Sequence, residues 1–116
     1  MPNLLRHLYY FLTMPKRGYV YIMSNKNRTT FYIGVTNNLE RRVAEHKSGT
    51  GSMFTGRYNL HYLVYFEIVA GMKVAIDREK QLKRWHRDWR INLIKAENPE
   101  MKDLSSDWSD PETSSG

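Results

Sequence analysis

The chain has 116 residues, no cysteine and a formal net charge of +6. This length predicts one domain with a single core. The absence of cysteine excludes disulfides and thiolate metal sites, which agrees with a cytoplasmic location. Residues 1–98 hold 17 Lys and Arg against 7 Asp and Glu, whereas residues 99–116 hold one Lys and five acidic residues. A basic body with eight tyrosines and three tryptophans favours a nucleic acid as partner, with simple solubility as the alternative.

The ends of the chain differ in character from its middle. No apolar run is long enough to span a membrane, and residues 4–12 are interrupted by Arg6 and His7, so we expect neither a signal peptide nor a membrane partner. We divide the chain into an N-terminal extension (1–15), a folded domain (16–104) and an acidic tail (105–116). The tail is rich in Ser and Asp, and we expect it to be disordered at its end, with Trp108 as a candidate anchor.

Two short tyrosine-rich segments open the domain. Residues 19–23 alternate, with Tyr19, Tyr21 and Met23 on one face, and residues 31–35 form a second such segment. A polar, turn-prone segment separates them, which predicts a β-hairpin with a loop longer than two residues. Gly34 in the second strand indicates that a ligand or another backbone approaches closely there.

A helix is predicted directly after this hairpin. Asn37 is the candidate cap, with Glu40 three residues later. Arg42 and His46 stand four residues apart and therefore share one face of the helix. The glycine-rich residues 48–57 follow, and a flexible connector is favoured there over a phosphate cradle.

The second half of the domain reads as one strand followed by helix. Residues 60–67 are almost continuously apolar, which predicts a central strand. Residues 72–97 are helical in pattern, with a break near residues 86–88, and place Ala75, Leu82, Trp89 and Leu93 on one sector with Glu79 at its border. Pro99 stops this element.

Several side chains suit phosphodiester hydrolysis, which needs an activated water, a Lewis acid and charge stabilisation. Glu79 is the candidate ligand for a hard cation, and an ion pair with Lys83 is its alternative. Arg42 is the candidate phosphate clamp, although spacing alone barely separates it from a surface arginine such as Arg41. Tyr21 and Tyr32, if they face each other, are candidates to orient or deprotonate water, with core packing as the alternative.

His46 could share in proton transfer or simply cap a helix end.

These residues together resemble the GIY-YIG nuclease family. The first motif corresponds to Tyr19-Val20-Tyr21, where Tyr19 stands at the position of the motif's glycine, and the second to Tyr32-Ile33-Gly34. Residues 78–85 resemble the later helix that carries the metal-binding glutamate, and the likeness covers about residues 17–104.

The resemblance implies an α+β fold, a small three-stranded antiparallel sheet flanked by helices, and one divalent ion, Mg²⁺ or Mn²⁺. By position it implies a catalytic set with Glu79 as metal ligand. A looser match makes Asn98 a site-supporting residue. The catalytic set is Tyr21, Tyr32, Arg42, His46 and Glu79.

The expected function is an endonuclease that hydrolyses DNA phosphodiester bonds, acting as a monomer or weak dimer on DNA that is branched or single-stranded, with RNA left open. A non-catalytic nucleic-acid-binding module is the main alternative, and a protein-binding domain that docks through Trp108 and the acidic tail is a third. Lys47, Arg57 and Asn98 are the predicted substrate-binding residues. Other basic side chains are candidates for binding the DNA backbone without reading its sequence, with ordinary solvated helix faces as the alternative. These are Lys26, Arg28, Lys80, Lys83, Arg84, Arg87 and Arg90.

Overall fold

A computed structural model describes residues 16–49 and 58–108. Within these residues it contains three strands, three α-helices and a single 3₁₀ turn. The strands form one antiparallel sheet, so the predicted α+β class is confirmed. In chain order the elements are β1 (Gly18–Ser24), β2 (Phe31–Thr36), α1 (Leu39–Ser48), β3 (Tyr62–Val69), α2 (Met72–Arg84), α3 (Arg87–Glu97) and the 3₁₀ turn Ser106–Trp108.

The strand order is β2-β1-β3, so β1 is the central strand and β3 lies at an edge. The prediction that the apolar third strand is central was therefore wrong. Both faces of β3 are covered, because Val64 belongs to the core on one face and Leu63 to the core on the other. A continuous apolar run indicates that a strand is buried on both faces. Helices can bury both faces of an edge strand as well as those of a central strand.

Helices cover the sheet on both sides. Val20 and Ile22 of β1 pack with Ala75, Leu82 and Ile94, which places α2 and α3 on one face. The intervening residues of β1 point the other way. Tyr21 and Met23 pack with Leu39 and Val43 of α1 on the opposite face.

Helix α1 begins one residue later than the sequence pattern suggested. Asn38, not Asn37, is the N-cap, and its side-chain oxygen accepts from the backbone N–H of Arg41 at 3.1 Å. The backbone N–H of Asn38 in turn donates to Thr36 Oγ1 at the end of β2. The helix ends at Gly49, which adopts the left-handed conformation with φ of 84°.

The helical region breaks between Arg84 and Arg87, as predicted. The break changes the phase of the pattern, so only part of the predicted apolar sector continues into α3, where Leu93 packs against the core. Trp89 is 55% exposed, whereas Ile94 is fully buried. Trp89 therefore does not share a buried sector with Ala75 and Leu82, to which the sequence pattern assigned it.

The segment after α3 folds back along β3. The backbone N–H of Leu104 donates to Leu63 O, and the carboxylate of Asp103 accepts from Leu63 N. The ring of Trp108 lies edge-on against Phe66, with 6.3 Å between ring centroids. Among the described residues, no helix has the length and apolar character needed to cross a membrane.

Candidate active site

A hydrogen-bonded set of three side chains lies between β1 and α1. The hydroxyl oxygen of Tyr21 lies 2.9 Å from His46 Nε2. The Nε–H of Arg42 donates to the same hydroxyl at 3.3 Å. Tyr21 and His46 are 1% and 0% exposed. The structure therefore brings together three of the five predicted catalytic side chains around one phenol oxygen.

Two local features of the sequence produce this arrangement. Arg42 and His46 are one turn apart on α1, so both face the sheet where Tyr21 points. Gly34 lies directly opposite Tyr21 in the β-ladder. A Cβ at Gly34 would lie 2.5 Å from the Tyr21 hydroxyl and 2.9 Å from the Tyr32 ring. The glycine is needed for the close approach of the two phenols, so the groups that crowd Gly34 are side chains and not the ligand or backbone that its position in a strand suggested.

Tyr32 is a diagonal neighbour of Tyr21. The register pairs Tyr32 with Met23 and Tyr21 with Gly34, so the two tyrosines share a face without being directly opposite. Their ring centroids are 6.3 Å apart, and the Tyr32 ring lies 5.6 Å from that of His46. The fourth predicted side chain thus lies in contact with the same cluster.

The electrostatics of the cluster define which groups carry protons. Burial raises the pKa of Tyr21 to about 12 although the Arg42 hydrogen bond opposes this, so the phenol is protonated at neutral pH. Burial, aided by the charge of Arg42, lowers the pKa of His46 to about 4, so its imidazole is neutral. We therefore assign Tyr21 as the donor to His46 Nε2 and as the acceptor from Arg42.

The structure separates Arg42 from its neighbour Arg41. The side chain of Arg42 is 25% exposed and its Nη1 lies 2.9 Å from Glu45 Oε1. Arg41 is 60% exposed and lies 3.8 Å from the other oxygen of Glu45. The hydrogen bond to Tyr21 raises the pKa of Arg42 further. Arg42 thus presents a fixed, permanently charged guanidinium beside the phenol.

Glu79 lies on α2, which covers the other face of the sheet. Arg78, the preceding residue, forms a bidentate ion pair with Glu67 of β3, with Nε–Oε1 at 3.0 Å and Nη2–Oε2 at 2.9 Å. One residue turns a helical side chain by about 100°, and Arg78 and Glu79 lie on opposite sides of the buried Ala75–Leu82 line. Glu79 therefore points toward the flank of β2, the strand that carries Tyr32.

A groove of about 330 Å³ connects that flank to Tyr32. It is lined by Phe31, Tyr32, Ile33, Lys83 and Arg90. Lys83 Nζ lies 2.7 Å from Glu79 Oε2. The ion pair given as the alternative for Glu79 is therefore present.

The donor set at Glu79 fits a hard divalent ion that keeps most of its water. Its side chain is only 17% exposed and holds a cation, the Lys83 ammonium, against one oxygen. Mg²⁺ commonly binds one or two carboxylates and completes its shell with water and substrate oxygens. Within the described parts of the chain, no group of three or more His, Asp or Glu residues forms an all-protein metal site.

Two of the predicted substrate-binding residues, Lys47 and Asn98, form hydrogen bonds within the protein. Lys47 Nζ pairs with Asp103 at 2.6 Å and donates to His61 O. Both amide hydrogens of Asn98 are used by backbone oxygens of Val64 and Lys102, so this buried side chain supports the fold. Arg57 lies outside the described residues.

Sequence reasoning missed the network that holds α2 against β3. The Tyr65 hydroxyl and Arg78 both donate to Glu67, and Arg78 also donates to Gln81. These residues come from different elements, and no spacing rule connects them. The Glu45 partner of Arg42, by contrast, could have been found from its i,i+3 spacing.

Comparison with known proteins agrees with this geometry. The model of the GIY-YIG catalytic domain matches residues 17–92, and the chain therefore belongs to the GIY-YIG family. It is 36% identical over 81 residues to a UPF0213 protein of Clostridium perfringens, covering 70% of this chain and 86% of the relative. A UPF0213 protein of Syntrophus aciditrophicus is 38% identical over 85 residues, covering 72% and 95%.

A solved structure is also similar to this chain. The solution NMR structure of a UPF0213 protein from Bacillus halodurans has a TM-score of 0.48 and 26% identity, covering 78% of this chain and 96% of that chain. The family membership itself, resting on the match to residues 17–92, confirms the resemblance seen in the sequence and suggests a nuclease-type function.

Proposed function

We propose that the protein is a metal-dependent endonuclease that hydrolyses DNA phosphodiester bonds. The observation that carries this proposal is the Tyr21 hydroxyl, buried and bonded to both His46 and Arg42. A phenol that only packs in a core has no need of a guanidinium and an imidazole on one oxygen. This arrangement supplies an oriented oxygen, a proton acceptor and a fixed positive charge.

Arg42 binds the phosphate in this proposal. Its guanidinium is held on one side by Tyr21 and on another by Glu45, and its side chain remains 25% exposed. A phosphoryl group that gains negative charge in the transition state would be stabilised there without any movement of the arginine.

Tyr21 and His46 handle the proton of the attacking water. As the water oxygen bonds to phosphorus, Tyr21 Oη takes a proton from the water while its own proton passes to His46 Nε2 along their hydrogen bond. The P–O bond to the leaving strand breaks, and the leaving oxygen takes a proton from solvent. His46 afterwards releases its proton through Tyr21 to solvent, which replaces the proton taken up by the leaving oxygen.

Substrate binding would make this transfer easier. The charge of Arg42 is one cause of the low pKa of His46. A phosphate on Arg42 offsets that charge, so the imidazole becomes a better proton acceptor when substrate is present.

Glu79 would hold the divalent ion, which when bound supplies Lewis-acid stabilisation of phosphate oxygens. The Glu79–Lys83 ion pair also supports the alternative, a nucleic-acid-binding module without turnover, because Lys83 neutralises the carboxylate in the absence of any metal. The two functions differ in whether DNA is cut.

The test is nicking of supercoiled plasmid with Mg²⁺ or Mn²⁺ and with EDTA, alongside linear, branched and single-stranded DNA and RNA. We expect metal-dependent cutting that Tyr21→Phe lowers by about 10²-fold or more. Tyr19→Phe, on the same strand outside the hydrogen-bonded set, is the matched control. DNA binding without any cutting under all these conditions would establish the binding module instead.

A further inference from the structure

The ion pair between Glu79 and Lys83 joins the candidate metal ligand to the groove beside Tyr32. Lys83 Nζ lies 2.7 Å from Glu79 Oε2, four residues away on α2. Pairs of this spacing are common on helix surfaces and contribute little there. The Glu79–Lys83 pair differs from such surface pairs because its two side chains are exposed to solvent to different degrees.

Its acidic member is largely buried and its basic member is not. The side chain of Glu79 is 17% exposed, whereas that of Lys83 is 54% exposed. A carboxylate with so little access to water needs a cation beside it, but the ammonium has water available whether or not it stays. Lys83 is thus the member that can leave.

Lys83 also has a second place to go. It lines the groove of about 330 Å³ together with Tyr32 and Arg90. Arg90 is held there, because its Nη1 donates to the backbone oxygens of Trp85 and Leu82 at the end of α2. Lys83 therefore supplies a movable positive charge to this groove, on a long flexible stem.

We propose that Lys83 occupies the cation position at Glu79 until a divalent ion binds, and that its ammonium then binds a backbone phosphate of nucleic acid in the groove beside Tyr32. The inference rests on the function proposed for this site. It makes Lys83 a substrate-binding residue whose availability depends on the metal.

The physical reason is competition for one carboxylate. An ammonium and a divalent cation on the same carboxyl group repel each other, and the doubly charged ion has the stronger attraction. Released into the groove, Lys83 becomes one more cation that can neutralise a phosphate. Metal binding and nucleic-acid binding are thereby coupled through one side chain.

The first experiment measures Mn²⁺ binding by electron paramagnetic resonance, without DNA. Lys83→Met removes the competitor and should tighten Mn²⁺ binding by roughly two- to fivefold, as expected for loss of an i,i+4 ion pair. Lys80→Met is the matched control, because Lys80 is an exposed lysine on the same helix that is not paired with Glu79. Equal Mn²⁺ affinity in Lys83→Met and the parent overturns the proposal.

The second experiment measures the salt dependence of DNA binding, in EDTA and in Ca²⁺, with gels to verify that the DNA stays intact. In Ca²⁺ the slope of log K against log salt should be shallower in Lys83→Met than in the parent by about 0.7–0.9, the contribution of one phosphate contact. In EDTA the two slopes should agree. A difference of equal size in both conditions would mean that Lys83 contacts DNA regardless of metal and would also overturn the proposal.

These results separate the inference from the proposed function. If the parent protein never cuts DNA but Lys83→Met tightens Mn²⁺ binding, the exchange of cations at Glu79 stands and the nuclease proposal fails. If the parent cuts and neither Mn²⁺ affinity nor the salt slope responds to Lys83→Met, the nuclease stands and the exchange fails. Thermal unfolding of each variant verifies that the fold is retained.

Discussion

The Nε–H of Arg42 donates to the hydroxyl oxygen of Tyr21 at 3.3 Å, across the interface between α1 and the central strand. The same oxygen lies 2.9 Å from His46 Nε2, so one phenol connects a permanent cation to a neutral base. This connection distinguishes Arg42 from every neighbouring cation on α1. A comparison of substitutions at Arg42 and at its neighbour Arg41 therefore tests the site directly.

Arg42→Ala should lower nicking activity by about 10²–10³-fold, because it removes the fixed charge that would stabilise the phosphoryl transition state. Arg42→Lys should recover little of this, since an ammonium cannot bond to Tyr21 and present a planar fork at once. Activity is measured on supercoiled plasmid at saturating Mg²⁺. Arg41→Ala is the matched control, because Arg41 is 60% exposed and lies outside the Tyr21 network. Equal losses in the two alanine variants would contradict the assignment.

Glu79→Gln should abolish metal-dependent nicking while leaving DNA affinity equal or slightly higher. The substitution keeps the size of the side chain and removes the negative charge that would hold the divalent ion. Affinity is measured by fluorescence anisotropy and activity by plasmid nicking. Glu100→Gln serves as the control, since Glu100 is 75% exposed and pairs with Lys102 at the surface. Cutting by Glu79→Gln at the parental rate would remove Glu79 from the mechanism.

Much of the site was predictable because its members follow local rules. The four-residue spacing placed Arg42 with His46, and the strand alternation fixed the face to which Tyr21 points. That Tyr32 shares this face depended on the hairpin register, which the structure supplies. The position of β3 was not predictable, since burial on two faces does not distinguish a central strand from an edge strand covered by helices. The break after Arg84 could be foreseen, but not the resulting change of phase that exposes Trp89.

Long-range contacts were the other part that the sequence did not reveal. Arg78 of α2 pairs with Glu67 of β3, and these two residues are eleven positions apart on different elements. The engagement of Lys47 by Asp103 spans 56 residues. The sequence alone could not show that Lys47 has an acidic partner, because that partner lies on a distant segment that the fold brings back along β3.

Arg78→Ala should lower the free energy of unfolding by roughly 2–3 kcal/mol, because it leaves the largely buried Glu67 carboxylate without its cation. The Arg78–Glu67 pair is 25% and 20% exposed, and the lowered pKa of Glu67, which opposes the effect of burial, reflects the hydrogen bonds from Arg78 and Tyr65. Urea denaturation at pH 7 measures the change.

The exposed ion pair on the same helix provides the control for Arg78. Lys73 and Asp77 are 88% and 63% exposed, so Lys73→Ala should cost less than about 0.5 kcal/mol. A loss of similar size in Lys73→Ala and Arg78→Ala would show that the Glu67 network contributes no more than a surface pair.

Gly34→Ala should destabilise the fold by about 1–3 kcal/mol and reduce activity by more than the loss of folded protein explains. The added methyl would lie 2.5 Å from the Tyr21 hydroxyl, so the phenol must move away from His46 or the strands must separate. Unfolding in urea gives the stability, and nicking is measured where the variant is fully folded. Activity equal to that of the parent under those conditions would show that the position of Tyr21 is not critical.

Stability should fall as the pH is lowered from about 6.5 to 4, and His46 should be a main cause. Burial lowers the folded-state pKa of His46 to about 4, below its usual 6.5, so the unfolded chain binds the proton first and acidification favours unfolding. The contribution is complete above about pH 6.5 and amounts to about 3 kcal/mol when fully lost. His46→Gln should flatten the pH dependence of the unfolding free energy between pH 4.5 and 6.5, and His86→Gln, at an exposed position, is the control variant. Glu67 and Asp103 also have lowered pKa values, and because their stabilising charges are lost only as pH falls through those values, their effects are felt below this window.

A parental slope that survives in His46→Gln would mean that the imidazole is already solvated in the folded protein, and would remove it from the buried relay with Tyr21.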